Sequence, residues 1–142
     1  MITIRALGET ELPWANRRYG EIGFLPSQPR DFIAVAEVNG ERAGIGRIVH
    51  VDETTGELGG MYVFAEFRGQ GIAGALVVFL LEHSRYQRLF CIPFAHLAGF
   101  YGGFGFKPVS ADISVPCAVS KKVSWCASEY PTSVALLVRV AG

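Results

Sequence analysis

Hydrophobic and polar positions repeat with one spacing in some stretches of this chain and another elsewhere, and the change marks strands and helices. Ile2-Thr3-Ile4 alternates as a short strand does, and Glu9 to Ile22 reads as a helix with Thr10 as N-cap and Pro13 in its first turn. Gly23 to Arg30, broken by Pro26 and Pro29, is a loop. Asp31 to Val38 and Glu41 to Val51 are strands joined by Asn39-Gly40, a pair suited to the positive φ angles of a tight hairpin. A polar turn over 51–56 leads to a third strand, Glu57 to Phe64. From Gly71 to Arg85 the spacing lengthens to three and four, which predicts a helix with Ile72, Ala75, Leu76, Phe79 and Leu80 on its sheet-facing side. Gln87 to Ile92 is a strand; reached across that helix, it should run parallel to the strand before it. Ala95 to Gly103 is a short helix, and Phe104 to Val109 and Ser133 to Val140 are closing strands. The sum is an α/β chain with a mixed sheet and helices on both faces.

Two features interrupt the pattern where chemistry can enter. Gly59 and Gly60 lie inside the third strand, where glycine weakens pairing and marks a bulge, a close approach by backbone or ligand, or a large core neighbour. The strand then feeds Arg68-Gly69-Gln70-Gly71-Ile72-Ala73-Gly74, a glycine-rich turn that opens the helix. Such a turn aims successive N–H groups from the positive end of a helix dipole, a seat for phosphate or pyrophosphate. Arg68 is a cation at a helix start, which opposes the dipole unless an anion binds there. A Walker A loop is excluded, because Gly71-Ile72-Ala73-Gly74 lacks the lysine that reaches the outer phosphates. Gly69, Gly71 and Gly74 satisfy the dinucleotide spacing, yet Phe90-Cys91-Ile92-Pro93-Phe94 stands about 20 residues on, where the ribose needs an acidic partner.

Arg68-x-x-Gly71-x-Ala73, after a strand ending Met61-Tyr62-Val63, resembles the acetyl-CoA pyrophosphate motif of the GNAT superfamily of N-acetyltransferases. Glu57 stands at the start of the preceding strand, as the catalytic glutamate of many members does, and Phe100-Tyr101-Gly102-Gly103-Phe104-Gly105-Phe106 resembles the superfamily's Phe-Tyr-x-x-x-Gly-Phe segment. The resemblance spans Glu57 to Phe106. It implies a GNAT-like α/β fold: a central mixed, mostly antiparallel sheet flanked by helices, its third strand bulged, with the pantetheine arm in the gap. It implies direct transfer of acetyl from acetyl-CoA to an amine. Glu57 would take the amine proton, directly or through a water, and Tyr101 would protonate the leaving thiolate. An N–H of Met61, Tyr62 or Val63 would polarise the thioester. Arg68 and the N–H groups of Gly69, Gln70, Gly71, Ile72, Ala73 and Gly74 would hold the pyrophosphate, with the Ala73 methyl slightly crowding it. Each residue also has a plainer reading: Glu57 as a solvated strand-start carboxylate, and Tyr101 as ring packing beside Phe100, Phe104 and Phe106. An acyl-CoA-binding module with little turnover and, further off, a dehydrogenase-like dinucleotide binder are the alternatives.

Composition narrows the classes. At 142 residues, half of them apolar, the chain is expected to be one domain. Thirteen basic and thirteen acidic residues cancel, which leaves no field to draw nucleic acid or an anionic membrane. No apolar run is long enough for a bilayer and no secretory leader is evident, so a cytoplasmic protein is expected. Cys91, Cys117 and Cys126 have no zinc or disulfide spacing, and His50, His83 and His96 are scattered, so no metal is expected. The apolar strand Val134 to Val140 could offer an edge for a homodimer. Ala111 to Tyr130 exceeds a minimal GNAT chain; it predicts a helix with Pro116 near its first turn and Val119, Val123 and Cys126 on one face, and Trp125, Trp14 and Tyr19 either shape the acceptor pocket or cap the core.

Overall fold

Alternating β-branched and small residues, Ile33-Ala34-Val35-Ala36, build the second strand in a computed structural model of the chain, which describes residues 1–141. The strands are β1 (Ile2–Ala6), β2 (Phe32–Val38), β3 (Glu41–Asp52), β4 (Thr55–Val63), β5 (Arg88–Cys91), β6 (Lys107–Pro108) and β7 (Leu137–Val140); the α-helices are α1 (Leu12–Glu21), α2 (Ile72–His83), α3 (Ala98–Gly102) and α4 (Cys117–Glu129). They form an open mixed sheet in the order β1-β2-β3-β4-β5-β7-β6, in which β4 and β5 are parallel and β1/β2, β2/β3, β5/β7 and β6/β7 are antiparallel. Residue contacts group into two compact units, Met1–Val49 with Gly60–Ser84, and His50–Gly59 with the chain from Arg85 onward.

In the first unit, Asn39 (φ 51°) and Gly40 (φ 83°) make the hairpin turn that the sequence predicts. Ala15, Tyr19, Ile33, Val35, Ile45 and Phe64 form its core, with Leu12, Trp14 and Tyr62 packed around them. The N-cap of α1 is Glu11 and not Thr10, with no side-chain cap bond. Glu11 is committed elsewhere: its carboxylate accepts from the Gly8 N–H at 2.8 Å and from Arg5 at 2.6 and 2.9 Å. On α2 the buried residues are Ile72, Leu76, Val77 and Leu80, while Ala75 and Phe79 are only half-buried. The inner face is thus rotated slightly from the predicted one, because the Phe79 ring turns aside to stack on Phe32 and His83, with centroids 6.2 and 4.1 Å away.

In the second unit, Thr55–Leu58 of β4 pair with Arg88–Cys91 of β5, parallel as the crossover required. Phe90, Val119 and Val138 are the core, ringed by Val51, Ile92, Val109, Ile113, Val115 and Leu136. The predicted strand Phe104–Val109 shrinks to Lys107–Pro108, since Phe104 and Gly105 (φ 92°) still belong to the turn that closes α3. Leu137–Val140 is the regular part of the last strand, preceded by a single bridge from Val134 to Phe94. That strand is paired with β5 on one side and β6 on the other, so the dimerisation edge expected of it is already occupied. The extra segment folds as α4 with Pro116 at its N-cap; Val119 and Cys126 are buried and Val123 is half-buried. No helix among the described residues is long and apolar enough to cross a membrane.

Candidate active site

The residues singled out by the sequence fall into two sets, one in each unit. In the first unit, Gly60 has φ +64°, and a Cβ there would lie 2.8 Å from Tyr19 Oη and 3.0 Å from Arg47 Nε. The Tyr19 hydroxyl donates to the Gly60 carbonyl at 2.8 Å. The Gly60 irregularity therefore answers to large buried neighbours, the packing role among those the sequence allowed. Met61, Tyr62 and Val63 follow, half-buried, and two glycines of β3 let them come close. A Cβ at Gly44 would stand 3.0 Å from the Tyr62 carbonyl oxygen, and one at Gly46 would overlap the Met61 sulfur. Gly44 and Gly46 belong to no motif of the family; an i, i+2 glycine pair inside a strand is the signal in the sequence that marks them.

Beyond Val63 a 3₁₀ turn, Ala65–Phe67, leads to Arg68, whose exposed guanidinium donates from Nε to the Val63 carbonyl at 3.4 Å. Gly69 (φ +82°) and Gly71 (φ +78°) take the left-handed conformation with open space on their Cβ side. Gly71 is the N-cap of α2 and provides no side-chain acceptor, so the first-turn N–H groups at Ile72, Ala73 and Gly74 carry no side-chain cap. A left-handed, uncovered, cationic approach to a helix N-terminus is a cradle for an anion of pyrophosphate size.

In the second unit, Glu57 lies opposite Phe90 in the parallel β4/β5 ladder and is only 6% exposed. It is not the solvated carboxylate of the plainer reading. Its Oε1 accepts from Lys122 Nζ of α4 at 2.6 Å. Oε2 accepts no hydrogen bond among the described residues and is not sealed from solvent. A Cβ at Gly59 would sit 3.2 Å from that oxygen, so the glycine keeps the approach clear. Lys122 was missed in the sequence, although it lies at i+3 from Val119 and i−4 from Cys126, on the face assigned to the interior. Burial, with the Glu57 charge adding to it and Lys122 opposing, pushes the Cys91 thiol well above its usual range; burial likewise raises Cys126, with Lys122 opposing. Both thiols are held protonated, as inert packing groups.

Tyr101 is buried on α3, edge-on to Phe100 and Phe106 with centroids 5.0 and 6.2 Å away. Trp125 packs edge-on to Tyr130, and Trp14 to Phe64, while Tyr19 is fully enclosed. Among the described residues no group of His, Cys, Asp and Glu suited to a metal is brought together.

The model of the acetyltransferase (GNAT) domain matches residues 29–108, more than half of the chain, with Glu57, Met61 to Gly74 and Tyr101 inside the match and Lys122 beyond it. The chain belongs to the GNAT acetyltransferase family. The solved structures that this GNAT chain resembles carry the same fold. Rv2747 from Mycobacterium tuberculosis, solved with CoA, superposes with a TM-score of 0.73 at 20% identity, covering 99% of each chain. A GNAT family acetyltransferase from Elizabethkingia anophelis with acetyl-CoA bound gives 0.68 at 18% identity over 99% of this chain and 98% of that one. N-acetylglutamate synthase from Neisseria gonorrhoeae, complexed with CoA and N-acetyl-glutamate, gives 0.70 at 18% identity; all of this chain aligns, but it spans only 35% of that protein. No curated protein sequence matches the chain. Family membership and CoA-bound neighbours support acyl transfer from CoA as the chemistry of the fold.

Proposed function

We propose that this GNAT protein transfers acetyl from acetyl-CoA directly to an amine of a small molecule, peptide or protein. The observation that carries the reading is the uncapped N-terminus of α2 behind Gly69 and Gly71 with Arg68 beside it, in a chain of this family. The diphosphate of CoA docks on the N–H groups of residues 69–74 and on the Arg68 guanidinium. An N–H of Met61, Tyr62 or Val63 donates to the thioester oxygen and stabilises the oxyanion that forms there. Glu57 takes the amine proton on Oε2 while Lys122 holds Oε1 and fixes the rotamer. The amine nitrogen bonds to the acetyl carbon, the C–S bond breaks, and Tyr101 gives its phenolic proton to the thiolate. Free thiols at all three cysteines suit a reducing, cytoplasmic setting.

One observation favours a second reading, a CoA-binding module with little turnover: the carboxylate needed as base is already engaged by an ammonium at 2.6 Å. The same experiment separates the two. In the transferase, Glu57→Gln and Tyr101→Phe each lower acetylation about 10²- to 10⁴-fold, with the acetyl-CoA Kd essentially unchanged by calorimetry. Arg68→Gln instead weakens acetyl-CoA about tenfold, the loss of one charge-assisted contact. Parental turnover in both Glu57→Gln and Tyr101→Phe removes these residues from the chemistry.

A further inference from the structure

Lys122 does more than hold Glu57. Its ammonium has three N–H donors and spends one on Glu57 Oε1 at 2.6 Å. The Lys122 side chain is 23% exposed and that of Glu57 only 8%, so the pair opens outward through the lysine. Side by side, the second unit thus presents a carboxylate oxygen without a hydrogen-bond partner among the described residues, Oε2, and an ammonium with donors to spare there. The pair is electrically neutral, and within its electrostatic reach lie the buried thiols of Cys91 and Cys126.

We propose that the Lys122–Glu57 pair is a zwitterion receptor, and that the acceptor is an α-amino acid whose amine faces Glu57 and whose carboxylate faces Lys122. This rests on the transferase reading above. An amine that is a plain cation brings positive charge up to Lys122 with nothing to offset it, and in a poorly solvated site that repulsion is costly. An α-amino acid carries its own offset one carbon away. Its carboxylate accepts from Lys122 in a charge-assisted bond while its nitrogen reaches Oε2, so a neutral ligand meets a neutral pair and no net charge enters the site. A polyamine, a lysine side chain and a peptide N-terminus lack that adjacent carboxylate.

The test compares common L-amino acids with their primary carboxamides, which keep the amine and side chain and lose only the anion. Release of CoA thiol from acetyl-CoA is followed for the parent protein, Lys122→Met and Lys122→Arg. The carboxamide has the less basic amine and is the better free nucleophile, so any preference for the acid reports recognition. In the parent, kcat/KM for at least one amino acid exceeds that of its carboxamide by about tenfold or more, mostly through KM. Lys122→Met brings that ratio to about one, whatever happens to the absolute rate through Glu57, and Lys122→Arg preserves a ratio well above one. Equal kcat/KM for acid and carboxamide in the parent overturns the assignment and leaves acetyl transfer standing, a result that needs no variant to fold. Binding of CoA with no consumption of any amine overturns the transferase reading, and this one falls with it.

Discussion

Gly60→Ala tests whether packing around β4 is as tight as its geometry requires. A Cβ at this position meets two obstacles. The backbone is in the left-handed region (φ +64°), which costs a residue with a side chain about 1–2 kcal/mol. The methyl would also stand 2.8 Å from Tyr19 Oη and 3.0 Å from Arg47 Nε. Neither neighbour can swing aside into solvent, since Tyr19 is 0% and Arg47 3% exposed. Forcing them apart is overpacking, worth about 1–3 kcal/mol, and it strains the Tyr19 bond to the Gly60 carbonyl, worth about 1 kcal/mol more. The sum is about 3–6 kcal/mol, a large part of a stability of about 5–15 kcal/mol. At about 3 °C per kcal/mol for a chain of this size the melting point falls by about 9–18 °C. Gly40→Ala is the control: φ is +83° there too, but nothing lies within 4 Å of the added methyl, so only the conformational cost remains and the fall is about 3–6 °C. Thermal melts followed by circular dichroism, with urea midpoints alongside, read the difference. A Gly60→Ala protein that melts no lower than Gly40→Ala refutes the account of Tyr19 and Arg47 as fixed walls.

Three further outcomes are expected. Lys122→Met leaves Glu57 without its ion pair at a mostly buried site and costs about 2 kcal/mol after allowance for the half-buried lysine; adding Glu57→Gln restores part of that, and strictly additive losses in the double variant would show that the pair contributes nothing. Glu11 is held near pKa about 2, below its usual 4.5, chiefly by hydrogen bonds from Arg5, with burial opposing and the Gly8 N–H and Arg42 adding to it. A lowered folded-state pKa contributes stability that is complete above pH 4.5 and is lost as pH falls toward 2. For so accessible a pair this is about 1 kcal/mol, and Glu11→Gln should flatten that part of the pH–stability curve; an unchanged slope counts against it. Among the thiols, Cys117 is exposed whereas Cys91 and Cys126 are buried with raised pKa, so a thiol reagent should label Cys117 in the native protein and the others only on unfolding. Rapid native labelling that survives Cys117→Ser would contradict the burial of Cys91 on β5 or of Cys126 on α4.

What was legible in the sequence was local. The hairpin at Asn39-Gly40 and the turn at Gly69 and Gly71 follow from backbone angles that only a few residues adopt, and a reader needs no distant contact to find them. The β4–α2–β5 crossover was equally open, since handed connections leave the chain few choices. The partner of Glu57 was not, because Lys122 is 65 positions away and a spacing rule on α4 marks a face without naming what the face meets. The N-cap of α1 went astray for a related reason: the acidic residue at Glu11 is occupied by Arg5 from β1, a contact that capping preference cannot register. The strand expected over Phe104–Val109 fell short because apolar content alone does not separate a strand from the aromatic turn after α3.

Arg47 carries a consequence for how the segment before β2 behaves as conditions change. Its Nη1 donates to the Leu25 carbonyl at 2.8 Å and to Ser27 Oγ at 2.6 Å, its guanidinium carbon lies over the Tyr19 ring at 4.3 Å, and Nε is enclosed with no acceptor among the described residues. Both acceptors are neutral and Arg47 is only 3% exposed, so the contact owes nothing to a surface ion pair that dissolved salt can screen. The tether on Leu25 and Ser27 is therefore insensitive to ionic strength, and salt concentrations that loosen ion pairs elsewhere on the surface will leave this anchorage in place.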